Sequence, residues 1–325
     1  MRIWANAFDV SVKAQISSTN IPFKHEPIVH APIVDNIVVE GSKSDYDVSV
    51  EEDYIKINKF VGFDEKIITV PNTIEGKQVK VIGENAFEKC IGIEKVIISE
   101  GIKEIQNGAF SGCTSLKEII LPTTLKKIGN TPEKQPGRYY SALEPYYYGV
   151  FENCSIEEIQ LPSSITYIGG RAFSGCKRLR KINLPNKVEE IREHCFSDCS
   201  NLKEVLLPDY LKTIGSFAFA YSGIEKIDIP TSVTKMESYV FCRCEKLNQV
   251  LLHEGLNIIG NSVFQECKLL QNITIPKSVT TIGKDVFNIK WGRQGNENLI
   301  ISCYAGSYGL EYARKEGYKI QNAAK

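Results

Sequence analysis

The sequence has no excess of either charge: Lys plus Arg and Asp plus Glu stand at 39 each in 325 residues. A balanced chain lacks the bulk field that draws proteins to nucleic acid or to an acidic membrane surface, so neither partner is expected. No apolar run approaches the roughly 18 residues of a membrane-spanning helix, which argues against insertion into a bilayer as well. The first residues, Met1 to Val10, lack the long apolar segment of a secretory signal. The chain is therefore expected to be cytoplasmic, or to be a sequence from which a targeting segment has been removed. Histidine is scarce, and His25, His30, His194 and His253 are too scattered for a catalytic set. Neither a phosphate-binding glycine loop, a nucleophile elbow nor an ordered Ser-His-Asp set is found. The expectation is a protein that is not an enzyme and needs no cofactor.

What the sequence does contain is a period. Phe87, Phe110, Phe151, Phe173, Phe196, Phe219, Phe241, Phe264 and Phe287 follow one another at 22 or 23 residues, with a single 41-residue interval between Phe110 and Phe151. The shared form is I-x-x-I-G-x-x-A-F-x-x-C-x-x-L-x-x-I-x-L-P-x-x, and the unit Val188 to Tyr210 shows it well. A period of 20 to 29 residues carrying spaced Leu and Ile marks a leucine-rich-repeat solenoid, whose single units cannot bury their own apolar faces. The expected fold is a right-handed solenoid with a parallel β-sheet on one face and short helical turns and loops on the other. In Leu116 to Pro122 the alternation points Ile119 and Leu121 inward and predicts a strand that the proline stops. In Ile82 to Cys90 the apolar spacing is helix-like and predicts a short helical turn.

The period also sets the expected organisation. Residues 1–45, with Pro22, Pro27 and Pro32, read as an irregular N-terminal segment, and 46–78 as an atypical capping repeat. Repeats run over 79–290 with a loop insert at 131–149, and 291–325 form a C-terminal cap. That cap should hold a strand near Leu299 to Ser302 and an amphipathic helix within Ala305 to Gly317, with Ser near its start and Gly at its end.

Most of the ten cysteines obey the repeat. Cys90, Cys113, Cys154, Cys176, Cys199, Cys244 and Cys267 each stand three residues after a ladder Phe, with Ser222 and Lys290 in the same slot elsewhere. Such regularity points to packing, since free cysteine behaves as a small buried hydrophobe. Neighbouring coils lie close enough for a disulfide, but equivalent side chains point the same way rather than at each other. His194, Cys195 and Cys199 are near enough in sequence to suggest metal ligands; the repeat instead turns both cysteines inward, and no metal is expected.

Function is then sought on the outside. Alternation leaves two outward rows on the strand face. One is Lys95, Glu118, Glu158, Lys181, Glu204, Lys226, Gln249 and Asn272; the other is Ile97, Ile120, Gln160, Asn183, Leu206, Asp228, Leu251 and Thr274. Ile97, Ile120, Leu206 and Leu251 are apolar where solvent is expected. They read either as a ridge for a protein partner or as plain β-propensity on a polar sheet. The insert carries Tyr139, Tyr140, Tyr146, Tyr147 and Tyr148, amphipathic rings of the kind found at interface hot spots, or else rings that fold back on a neighbouring coil.

The motif I-G-x-x-A-F-x-x-C-x-x-L-x-x-I-x-L-P, over roughly residues 60 to 290, resembles the BspA-like class of bacterial leucine-rich repeats. Cys303-Tyr-Ala-Gly-Ser-Tyr and Gly317-Tyr are similar to the segment that closes such arrays. The resemblance implies a cell-surface or secreted bacterial protein that adheres to host proteins, other cells or extracellular matrix. The other readings from the residues are a structural spacer without a specific ligand, and carbohydrate binding by the Tyr-rich insert.

Overall fold

The computed structural model describes residues 38–62, 65–130, 148–290 and 294–323. Within them the chain winds into stacked coils. One coil shows the rule: Leu179, Ile182 and Leu184 are buried, while Lys181 and Asn183 of the strand Lys181–Asn183 turn outward. Strands at this position stack in parallel and in register. Ile67–Val70 pairs with Lys95–Ile98 and that with Glu118–Ile120; Glu158 bridges to Lys181; Lys181–Asn183 pairs with Glu204–Leu206, and Lys226–Asp228 with Gln249–Leu251. Asn272–Thr274 pairs with Ile300–Cys303, which pairs in turn with Lys319–Asn322. The face thus continues past the eight strands expected, at both ends.

The other wall differs from the short helical turn that the apolar spacing suggests. It begins with a second parallel ladder of two-residue strands, including Glu190–Ile191, Thr213–Ile214, Lys235–Met236, Ile258–Ile259 and Thr281–Ile282. Then comes a run of tight turns in which every second N–H donates to the next coil. Arg171, Phe173 and Gly175 bond to the carbonyls of Glu193, Cys195 and Ser197 at 2.8–2.9 Å, while Ser174 and Cys176 close turns to Arg171 and Phe173. A helix would spend those N–H groups inside its own coil. Alternation between coils requires left-handed residues at two places four apart, as at His194 (φ 54°) and Asp198 (φ 60°), or Phe217 (φ 56°) and Tyr221 (φ 60°).

The core is the Phe ladder. From Phe60 through Phe287 adjacent rings lie 4.9 to 5.7 Å apart and nearly parallel, an offset stack that runs through the coils. Tyr46 packs on Phe60 and Phe87 at one end, and Tyr312 and Tyr318 pack on Phe287 at the other. Tyr312 belongs to the helix Tyr308–Lys315, where Ser307 accepts from Leu310 N at the start and Gly317 adopts φ 75° just past the end, as the composition predicts.

Beside the rings runs the thiol ladder. The S–H of Cys113, Cys154, Cys176 and Cys199 donates to the carbonyl of Phe87, Phe110, Phe151 and Phe173 in the preceding coil, at 3.0–3.1 Å. Cys244 and Cys267 bond likewise to Phe219 and Phe241. Ser222, the substitute in this slot, lies 3.3 Å from the sulfur of Cys244. These cysteines are therefore more than filler: each ties its coil to the one before.

Candidate functional site

Every residue expected on the strand face sits on it. Ion pairs cross it from coil to coil: Lys95 to Glu118 at 2.8 Å, and Lys181 to Glu204 at 3.2 Å. In the flanking row Glu94 lies between Lys66 and Lys117, at 3.1 and 3.0 Å, and hydrogen bonds from Lys117 and Lys66 hold its carboxyl below the usual range. Glu157 meets Arg178 and Arg180, and Lys203 meets Glu225. His253 reaches Asp228 at 2.6 Å. Each such exposed pair adds little stability, on the order of 0–1 kcal/mol. Their effect is to fix a pattern of charge. Glu158 and Lys226 stand in the same row without an ion pair among the described residues.

Between the charges lie the apolar residues. Ile67 is 60% exposed, and Ile120 and Leu251 are 36% and 37% exposed, while Ile97 and Leu206 are half-buried against their neighbours. Of the insert's tyrosines, Tyr139, Tyr140, Tyr146 and Tyr147 lie outside the described residues; Tyr148 is exposed. The insert leaves and re-enters on the turn wall, away from the strand face. Its return is pinned by the buried Glu152, which accepts from Gly149 N at 2.8 Å and pairs with Arg171 at 3.5 Å. A Cβ at Gly149 would strike the carbonyl oxygen of Arg171, so glycine is required there.

The residues that first suggest metal chemistry are placed otherwise. Cys195 and Cys199 are buried, and His194 stacks on Phe217 at 4.8 Å. Burial, with Arg171 nearby, lowers the His194 imidazole to about 4 and keeps it neutral at physiological pH. Phe217 stacks in turn on Tyr239 at 4.5 Å, making a column of three aromatic side chains on the turn wall. In the next left-handed column Arg243 lies over the Tyr221 ring at 5.5 Å.

Reading single residues misses the first column; aligning the repeats by position shows it. The slot holds Asn85, Gly108, Arg171, His194, Phe217, Tyr239, Ser262 and Asp285, all at positive φ. Asn, Gly and Asp suit that conformation, whereas an aromatic residue there is strained by roughly 1–2 kcal/mol, offset in part by stacking. Phe217→Gly is accordingly expected to change stability by no more than about 1 kcal/mol, while Phe219→Ala, two residues on, costs about 3–5 kcal/mol. Urea melts of the two variants check the contrast.

A parallel coil of 22 or 23 residues, built on a strand of the outer face, a second short strand and a Phe-centred run of turns, defines a leucine-rich-repeat solenoid. The chain belongs to the BspA-type leucine-rich-repeat family, whose model matches residues 47–132, 146–205 and 177–290 in six copies. Among solved structures it is similar to a leucine-rich cell surface protein from Faecalibacterium prausnitzii, with 21% identity over 87% of this chain and 94% of that one and a TM-score of 0.51. It is also similar to the pneumococcal vaccine antigen PcpA, with 19% identity over 89% of this chain and 99% of that one and a TM-score of 0.50. At these identities the likeness is one of fold. No curated protein sequence is significantly similar to the chain. Among the described residues no helix is long and apolar enough to cross a membrane.

Proposed function

We propose that this protein is a non-enzymatic interaction or adhesion module of a bacterial surface or secreted protein, and that it binds a protein ligand through its strand face. The observation that carries this reading is the outward placement of Ile67, Ile97, Ile120, Leu206 and Leu251 among side chains whose charges are held by coil-to-coil ion pairs. Apolar anchors inside a charged frame are what a protein interface uses: burial of the anchors supplies affinity and the frame supplies selectivity. Family membership and the surface character of the Faecalibacterium protein support the placement outside the cell; host or extracellular-matrix proteins are the ligands that the resemblance of the repeat motif implies. The Tyr-rich insert, 131–149, is a second contact region.

Lysine at Ile97 and Leu206 together is expected to abolish binding to immobilised extracellular-matrix proteins while the circular dichroism spectrum is kept, since both side chains lie outside the core. Unchanged binding would remove the strand face from the reading. Deleting residues 132–148 in parallel assigns the insert's share, with glycan arrays read alongside. Loss of glycan binding alone would make the insert a carbohydrate site instead.

A further inference from the structure

We propose that two copies of this chain pair through their strand faces about a twofold axis parallel to the strands, located between the coils of Lys181 and Glu204. The inference rests on the reading that this face is the interaction surface, and it names a partner for it. An axis so placed runs the two coil stacks in opposite directions and sets each outward row against itself reversed. Lys181 then meets Glu204 of the second copy, on both sides of the axis. One coil further out Glu158 meets Lys226 of the second copy, and neither has an ion pair within its own chain among the described residues. Beyond them Glu118 faces Gln249, Lys95 faces Asn272, and Ile67 faces Ile300.

The second row agrees. Ile120, 36% exposed, meets Leu251, 37% exposed, so that two apolar residues of the face cover each other. Gln160 meets Asp228, Ile97 meets Thr274, and Thr69 meets Ser302. Neither row sets like charges together.

The adjacent registers fail on the same residues. An axis on a coil sets Lys181 or Glu204 against itself. Moved one coil toward the N-terminus, the axis brings Glu118 against Glu204; moved one coil toward the C-terminus, it brings Lys95 against Lys319 and separates Ile120 from Leu251. A twofold along the coil stack instead presses Lys95 on Ile97 and Glu204 on Leu206. Like charges do meet in the flanking row, where Glu157 faces Glu225 and Arg180 faces Lys203. These are paired within their own chain and stand at the solvated rim, where repulsion is screened. About ten strands at ~4.8 Å make a face about 45 Å long, which a second copy of the same face can match along its length.

Sedimentation equilibrium of the whole chain tests the pairing. A dimer is expected, and Glu158→Lys or Lys226→Glu alone should weaken it by about 10-fold or more, because each change enters the interface twice. The double variant, E158K with K226E, should return to within about 3-fold of the original affinity. A chain that stays monomeric up to about 100 μM, single variants that leave the dimer untouched, or a folded double variant that fails to recover would each overturn the proposal. The Ile97 and Leu206 lysine variant separates the two levels. If it loses matrix binding while the unaltered chain is a monomer, the pairing alone falls; if it changes neither matrix binding nor self-association, the strand face itself falls.

Discussion

Raising the pH above about 9 is expected to unfold this protein steeply. Burial lifts the thiols of Cys176 and Cys244 to about 12, and those of Cys154, Cys195, Cys199 and Cys267 are raised as well, by burial first and by neighbouring groups second. The ordinary value is 9.0. Between 9 and the folded-state values the folded chain keeps protons that the unfolded chain gives up, so stability is full below 9 and falls as pH rises. Each thiol contributes a slope of up to about 1.4 kcal/mol per pH unit, so several titrating together approach the whole stability of a domain. The phenol of Tyr318, pushed up to about 12 by burial, acts in the same direction. Urea denaturation between pH 7 and 11 should show the collapse, and Cys199→Ala should make the fall less steep while costing stability at neutral pH. A flat profile would mean that the thiols are not protonated donors to the Phe carbonyls.

Replacing Phe196 with alanine is expected to cost about 3–5 kcal/mol. Its ring is buried and stacked at 5.4 Å on Phe173 and 5.3 Å on Phe219, so truncation empties a site with ring neighbours on both sides. In a solenoid each coil rests on its two neighbours alone, and a gap in the middle weakens both interfaces at once. Phe60 offers the comparison: it is half-buried near one end of the stack, and alanine there should cost distinctly less. Equal losses at the two sites, or a loss below about 1 kcal/mol at Phe196, would contradict a continuous ring stack.

The strand face was legible residue by residue because a strand alternates with period two and the coils repeat at 22 or 23. Once Phe196 was aligned with Phe173 and Phe219, the outward positions of Lys181, Glu204 and Lys226 followed. Legibility ended where the signal was not periodic. Lys319–Asn322 extends the sheet without the apolar residue and Pro that close most of the other strands, and Phe60 joins the ring stack 27 residues before Phe87, off the rhythm. The path of the turn wall is not legible in the sequence for a physical reason: burial of Ala86 and Phe87 fits a helical turn or a chain of tight turns equally well. Only the hydrogen bonds from alternate N–H groups to the next coil decide between them. The His194, Phe217 and Tyr239 column is hidden in the sequence for the same reason, since its meaning depends on which slot is left-handed.

The bond from each cysteine thiol to the Phe carbonyl one coil back bears on how such a chain changes length in descent. A coil gained or lost by recombination brings or removes a donor and an acceptor together, so the core closes over the junction whatever the number of coils. The outer rows have no such freedom. Deleting residues 233–255 would leave the rings and thiols matched, yet in the pairing proposed above it would remove Leu251 from opposite Ile120 and set Thr274 there instead. The order of the coils, to which the interior is indifferent, becomes a heritable property of the surface.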